Sequence, residues 1–403
     1  MLGFILAAVL LAAPEQTWCM SDSSRLVASK AIAIAAGGGG DVVTASVLTA
    51  MLRRRFGTDI IALMSFSWDR LIVDPTPGPR SRSDFDGLIH HGLVAEVTES
   101  TRLRGPGWST LPPLVPHLAL PLLLMDPTGG AMDLAAQVRS AAQAFNADAL
   151  IVVDVGGDIL AEGHEAGLRS PLADSLALAA AIQSGLSVQL LIAGVGLDGE
   201  LTPAELRTLL HRQNSTVVTE LDADDVSMVA DVWDWHPSEA NGIFCIAAQG
   251  WRGTVETQRG AIISVTDDAT VVYAVDASGV AAHSLAADLL DTMSLEQVEQ
   301  RVRARRGYSD IDTERHRLSA HWEQSTVDSI DGIDRYAHAA SFHGVDALTI
   351  RRVLELAGAL GAGAGDALRD QLRRERPSNM RPPLYLVRHP HMPVDGVHKT
   401  GLF

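Results

Sequence analysis

Short apolar runs alternate with alanine-rich amphipathic stretches along most of the chain. Lys30–Ala36 (KAIAIAA) reads as a buried strand, followed by four glycines and a helix from about Val42 to Phe56. Asp59–Phe66 is a second strand, and Leu118–Met125 is a further apolar run. Gly129–Phe145 has helical periodicity, Ala149–Val155 is a strand, and Leu172–Ser184 is a helix. Ser187–Val195 reads as another strand. Thr202–His211 reads as a helix whose Thr-Pro-Ala-Glu start has the form of a capping box. Later come a strand at Thr270–Val275 and a charged helix at Leu295–Arg305. Strands that are apolar throughout, interleaved with helices, predict a mostly parallel sheet covered on both faces. The expected fold class is α/β: a Rossmann-like three-layer fold with a C-terminal helical and irregular extension.

The character changes after about Arg315. One amphipathic helix is expected near Asp346–Leu360, and Arg373–Phe403 reads as a loosely ordered basic tail. The expected division is therefore 1–24, 25–315 as the ligand-binding domain, and 316–403 as the extension. Leu2–Ala13 is an apolar run too short to span a bilayer, with no Lys or Arg before it. It reads either as a leader or as the product of a start placed too early, with translation beginning at Met20.

Composition narrows the function classes. Hydrophobic residues make up 47% of 403 residues, enough for a substantial core. Thirty-two basic residues against 49 acidic ones give a net charge of −17, which argues against a nucleic-acid backbone as partner. No membrane partner is expected. Cys19 and Cys245 cannot build a disulfide framework, so the expected setting is the reducing cytoplasm.

Three glycine–acid turns follow three expected strands, and they carry the candidate chemistry. Gly37, Gly38, Gly39, Gly40 and Asp41 stand where a buried strand meets a helix start. Backbone N–H groups could approach an anion there, although Asp41 could equally be a cap. The pattern lacks the Gly-Lys-Ser/Thr of a P-loop, and Val42 replaces the third glycine of a dinucleotide fingerprint. The second turn is Asp154-Val155-Gly156-Gly157-Asp158, and the third runs through Gly196, Asp198 and Glu200. Acids converging without a nearby cation suit Mg²⁺, so Asp154, Asp158, Asp198 and Glu200 are the expected metal ligands. His164 and Glu165 are the candidate proton carriers, with Arg70 and Arg80 as clamps for an anionic substrate. Asp174 could be only a helix-start acid, Tyr308–His316 a hydrated helix end, and Trp233, Trp235 and His236 packing.

The segments GGGGDV (Gly37–Val42), WDRLIVDPTPGPR (Trp68–Arg80), VDVGGDILAEGHEAGLRSPLADSLALAA (Val153–Ala180) and GVGLDGEL (Gly194–Leu201) resemble a bacterial and archaeal family. It is the family of domain of unknown function 1152. The resemblance covers roughly Arg25 to Arg315 and implies a Rossmann-like fold, with no established activity to carry over. Gly38-Gly39-Gly40-Asp41 also echoes the Ser-Gly-Gly-x-Asp-Ser loop of ATP pyrophosphatases, but both serines are missing. The expectation is an Mg-dependent enzyme acting on a small anionic metabolite, phosphorylated or nucleotide-like. The alternatives are a non-catalytic nucleotide or metabolite binder and a metal-independent lyase or cyclase.

Overall fold

The computed structural model describes residues 30–387, apart from 72, 320–326 and 360. The expected leader, the start at Met20 and the last residues of the expected basic tail, from Arg388 on, lie outside the described residues. Five parallel strands form the centre of the main sheet: Ala31–Ala35, Ile60–Ser65, Leu122–Leu124, Ala149–Val155 and Ser187–Ala193. Numbered along the chain, they lie in the order 3-2-1-4-5. Antiparallel strands extend both edges, Val94–Val97 and Ile89–His91 on one side, Val271–Val275 and Thr216–Glu220 on the other.

The central strands are apolar on both faces because both faces are covered. Ala31, Ala33 and Ala35 pack with the helices Gly39–Phe56 and Glu239–Ala248. Ile32 and Ile34 point the other way, onto Gly130–Phe145 and Leu172–Gln183. This is the two-residue strand period resolved into two helix layers. The first strand leads into a helix on one face and the fourth into a helix on the other. The strand order reverses between them, so their outgoing loops diverge and leave a crevice at the carboxyl edge. Among the described residues no helix is long and apolar enough to cross a membrane.

The helix start at Thr202 is as expected, with reciprocal Thr202 and Glu205 capping. The C-terminal region differs from its expectation. Ala347–Thr349 is a strand, and the helix begins only at Ile350, where the Thr349 hydroxyl accepts the Arg352 N–H at 3.0 Å. The segment expected to be loose from Arg373 instead continues a helix, Ala362–Glu375, and then forms the strands Met380–Arg381 and Leu384–Leu386. These strands join Ala347–Thr349 and the hairpin Gly253–Glu256/Ile262–Val265 in a second, five-stranded sheet. Segments from both sides of the expected boundary at 315 therefore share one sheet. Charge and proline masked the apolar pair that anchors it: Leu384 and Tyr385 are buried, Tyr385 completely, with its hydroxyl donating to Asp334.

Tyr385→Ala should lower stability by about 3–5 kcal/mol, since it opens a large cavity in the second core. Urea unfolding followed by tryptophan fluorescence measures this, and a change below about 1 kcal/mol would contradict the packing described.

Candidate functional site

At the crevice the glycine run is shaped by close packing. Gly38 has φ +115°, a conformation that L side chains rarely adopt. A Cβ at Gly39 would overlap the Thr110 hydroxyl, and one at Gly40 would overlap Ser238. With no side chains in the way, the helix starts at Gly39 and turns Asp41 back over the loop. Its Oδ2 accepts the Gly37 N–H at 2.8 Å, and its Oδ1 accepts the Asn241 amide at 3.0 Å. Asn241 is itself fixed by the Thr44 hydroxyl at 2.5 Å.

Asp154 is the penultimate residue of the fourth parallel strand and is wholly buried. Its Oδ2 accepts the Gly157 N–H at 2.9 Å, while Oδ1 has no hydrogen-bond partner. Gly156 and Gly157 both have positive φ, and a Cβ on Gly156 would collide with the Asp198 carboxylate. Asp174 lies in the first turn of the helix Leu172–Gln183, buried rather than solvated. One oxygen each from Asp41, Asp154 and Asp174 lie within 4.8 Å of one another, an arrangement that could hold a metal ion.

These acids underlie a pocket of about 200 Å³, far more than a single water needs. Its lining includes eight carboxylates (Asp41, Asp158, Asp174, Asp198, Glu200, Glu239, Asp310, Glu314) and five arginines (Arg70, Arg169, Arg259, Arg317, Arg351). A smaller hollow at Gly39 and Gly40 shares Asp41, Arg70 and Arg351 with this pocket and adds Asp69 and His236.

Burial pushes the Asp41 carboxyl up to about 6, against the hydrogen bonds from Asn241 and Gly37. Asp198 is pushed up to about 7 by burial and then by Glu200. Asp154, Asp158 and Asp174 are raised well above the usual carboxylate range, by burial first and then by their acidic neighbours. Asp310 rises to about 6, again by burial, although Arg70 pulls it down. His236 goes the other way, held near 3 by burial and by Arg369 and Arg351, so its imidazole is neutral.

Several expected site residues do meet here. Gly37, Asp41, Arg70, Asp158, Asp198 and Glu200 line the pocket, with Asp154 and Gly157 directly beneath. Arg70 stacks on the Trp68 ring at 3.9 Å and reaches Glu314 at 3.5 Å. Glu314 is fully engaged, taking the Trp68 indole N–H at 3.1 Å and the Gly78 N–H at 2.8 Å, so it orients Arg70.

Others are placed elsewhere. His164 is mostly exposed, and the nearest acid, Glu162, is 3.9 Å away. Glu165 accepts the N–H groups of Glu162 and Gly163 and serves its own turn. Arg80 makes a two-pronged bond to Asp74, at 2.7 and 2.6 Å, and staples the proline-rich loop instead of facing the pocket. Glu200 lines the pocket, but its oxygens take the Arg169 N–H (2.6 Å), the Ser170 N–H (2.9 Å) and the Ser170 hydroxyl, an anchoring role. Gly196 donates to Gly156 O at 2.7 Å and ties two turns together. Sequence reasoning set aside Asp174 and the Asp310–Glu314 turn. In the structure Asp310 accepts the Leu172 N–H at 2.9 Å, capping the helix that carries Asp174. Asn241, Arg259, Arg317 and Arg351 were not expected at all. A polar Asn inside the otherwise apolar run Ala240–Ala248 was the one available signal.

The chain belongs to the family described as "Protein of unknown function (DUF1152)", whose model matches residues 32–318. No curated protein matches the chain, and no solved structure does. The match spans the main sheet, the three glycine–acid turns and the Asp310–Glu314 turn, and it stops before Arg351.

Raised carboxyl pKa values fix the sign of the pH dependence. At pH 5–7 the folded protein retains protons on Asp41, Asp198 and Asp310 that the unfolded chain has released. Their contribution is full below about pH 4 and is lost as pH rises through about 6–7. Without divalent cations, Tm should therefore fall from pH 5 to 7.5. Asp154→Asn, which keeps an oxygen for the Gly157 N–H, should flatten the fall and raise Tm by a few degrees at pH 7.5. A Tm that climbs steadily over this window would contradict the arrangement.

Proposed function

We propose that the protein is an enzyme that holds a divalent cation, Mg²⁺ first, on Asp41, Asp154 and Asp174. Its substrate on this reading is a small anionic metabolite, phosphorylated or nucleotide-like. The observation that carries the proposal is the Asp154 Oδ1 atom, fully buried, without a hydrogen-bond partner, and grouped with two further carboxylates. A bare carboxylate oxygen in such surroundings needs a proton or a cation, and three converging hard oxygens favour the cation. The ligand set differs from the four acids expected from sequence: Asp154 stays, Asp41 and Asp174 join it, and Glu200 becomes an anchor.

The 3-2-1-4-5 strand order supports a Rossmann-like reading of the main sheet, with the ligand at the point where that order reverses. The N–H groups of Gly38, Gly39 and Gly40 donate to no acceptor among the described residues and stand at the positive end of an 18-residue helix. Arg70 supplies a fixed cation beside the acids. Asp198 takes over the proton-carrying role expected of His164 and Glu165. It lines the pocket, its Oδ2 has no partner, and its pKa of about 7 suits proton transfer near neutrality. Bound metal would supply charge neutralisation at the substrate's anionic group. The acidic lining supports a metabolite over a nucleic acid, and the buried, unpaired Cys245 is compatible with a cytoplasmic setting.

One observation favours a second reading, a metal-independent lyase or cyclase. One oxygen each of Asp154 and Asp174 lie within 4.8 Å, and burial and their acidic neighbours raise both carboxyls well above the usual range, which favours a proton retained on one of them.

Calorimetric titration of Mg²⁺ and Mn²⁺ into chelator-treated protein separates these readings. Binding should tighten from pH 6 to pH 8, because the acids release protons as metal enters. Asp154→Asn and Asp174→Asn should each weaken it at least tenfold. No heat and no Tm change at about 10 mM of either ion would overturn the metal reading. Turnover of a metabolite pool that survives chelator would favour the lyase, and metal-dependent binding without turnover the non-catalytic binder.

A further inference from the structure

Asp41, Asp158, Asp174 and Asp198 reach the pocket from the turns and helix starts that follow main-sheet strands at their carboxyl edge. Opposite charge gathers around the same pocket. Arg169 comes from the loop after the fourth parallel strand, Arg317 from the helix Asp310–Ser319, Arg259 from the hairpin of the second sheet, and Arg351 from the helix Ile350–Leu356. We propose that these four arginines form a phosphate-binding roof, so that the substrate carries a diphosphate or two separate phosphoryl groups. One group would bind at the cation and the other at the roof. This deepens the proposed function, since it takes the same pocket to be the substrate site.

Three features support the roof. The Arg351 side chain is only 16% exposed, yet its Nε has no hydrogen-bond partner. The nearest acid, Glu239 at 4.0 Å, already accepts the Gln258 N–H at 2.8 Å and the Thr349 hydroxyl. A guanidinium so enclosed lacks the acceptors that its planar fork would otherwise seek. Arg259, at the hairpin tip, adopts φ +65°, which is unfavourable for an arginine. Its N–H is held by Glu355 at 2.8 Å, and its guanidinium makes no hydrogen bond or ion pair among the described residues. Gly260 beside it is also at positive φ. The strained backbone thus presents a cation to the pocket. Finally, Arg259 and Arg317 are each depressed by burial and then by neighbouring arginines, and Arg351 by burial and then by Arg70. Burial first, and then Arg317, Arg169 and Arg351, bring Arg259 down to about 9. Repelling cations over a cavity are relieved by an anion with several oxygens, and a diphosphate has the charge and reach to meet both acid-bound metal and roof.

The test uses inorganic pyrophosphate and the full chain, by calorimetry, in EDTA and then in Mg²⁺. In EDTA pyrophosphate should bind wild type, and Arg351→Gln and Arg259→Gln should each weaken it about tenfold, whereas Asp174→Asn leaves it within about threefold. In Mg²⁺ the wild type should bind more tightly still and Asp174→Asn should gain nothing. Arg259→Gln, at a partly exposed hairpin tip, keeps the test valid if Arg351→Gln disturbs folding. Binding in EDTA that needs the arginines supports the roof even if Mg²⁺ adds nothing, an outcome that removes only the metal reading. Pyrophosphate binding that ignores both arginine replacements would overturn the roof, as would no binding under either condition.

Discussion

Asp154 is the penultimate residue of a strand whose other six residues are apolar and buried, and it enters the interior with one oxygen unsatisfied. Placing a carboxylate there is expensive, and the cost rises with each further acid brought near it. Asp41, Asp158, Asp174 and Asp198 are all brought near it. The geometry around them consists largely of devices that keep these groups close together. Gly156 and Gly157 turn the chain tightly enough for the Asp198 carboxylate to lie against it, and Gly39 and Gly40 let the helix bearing Asp41 press onto Thr110 and Ser238. Asp310 and Glu200 hold the start of the helix bearing Asp174 and the loop just before it. A fold that only needed stability would replace such a cluster with apolar residues.

Both sheets bring charge to the pocket. The main sheet delivers acids because its parallel strands all end at one edge, and the turns and helix start leaving that edge carry Asp41, Asp158 and Asp198. The second sheet and the helix that follows its central strand add Arg259 and Arg351 to the Arg70 and Arg169 of the main-sheet loops. Glu239, Glu314 and Glu355 mediate between the two, each tied to backbone N–H groups and standing close to an arginine. The pocket therefore requires both sheets, and the late part of the chain, beyond residue 318, completes it.

Much of this was legible in the sequence. Apolar strands, a proline-led helix start and three glycine–acid turns predicted an α/β sheet with its site at the strand ends, because strand period and turn chemistry are local properties. Asp41, Asp154, Asp158, Asp198 and Arg70 were found for the same reason, since each sits at or next to a turn that announces itself. His164, Glu165 and Arg80 looked equally suitable but serve their own loops, and a short-range partner such as Asp74 is not visible as a partner until the loop closes.

The sequence by itself determined the layered sheet, the positions of the turns and the acidic character of the site. Only the tertiary structure decided which charges face one another. Asp174 has the sequence appearance of an ordinary helix-start acid, and Asp310 that of a hydrated one. Arg351 stands in a segment that reads as a simple amphipathic helix. Each acquires part of its chemistry from a partner more than a hundred residues away (Asp41 for Asp174, Leu172 for Asp310, Glu239 for Arg351), and burial and electrostatic coupling depend on distance in space, which local pattern does not encode.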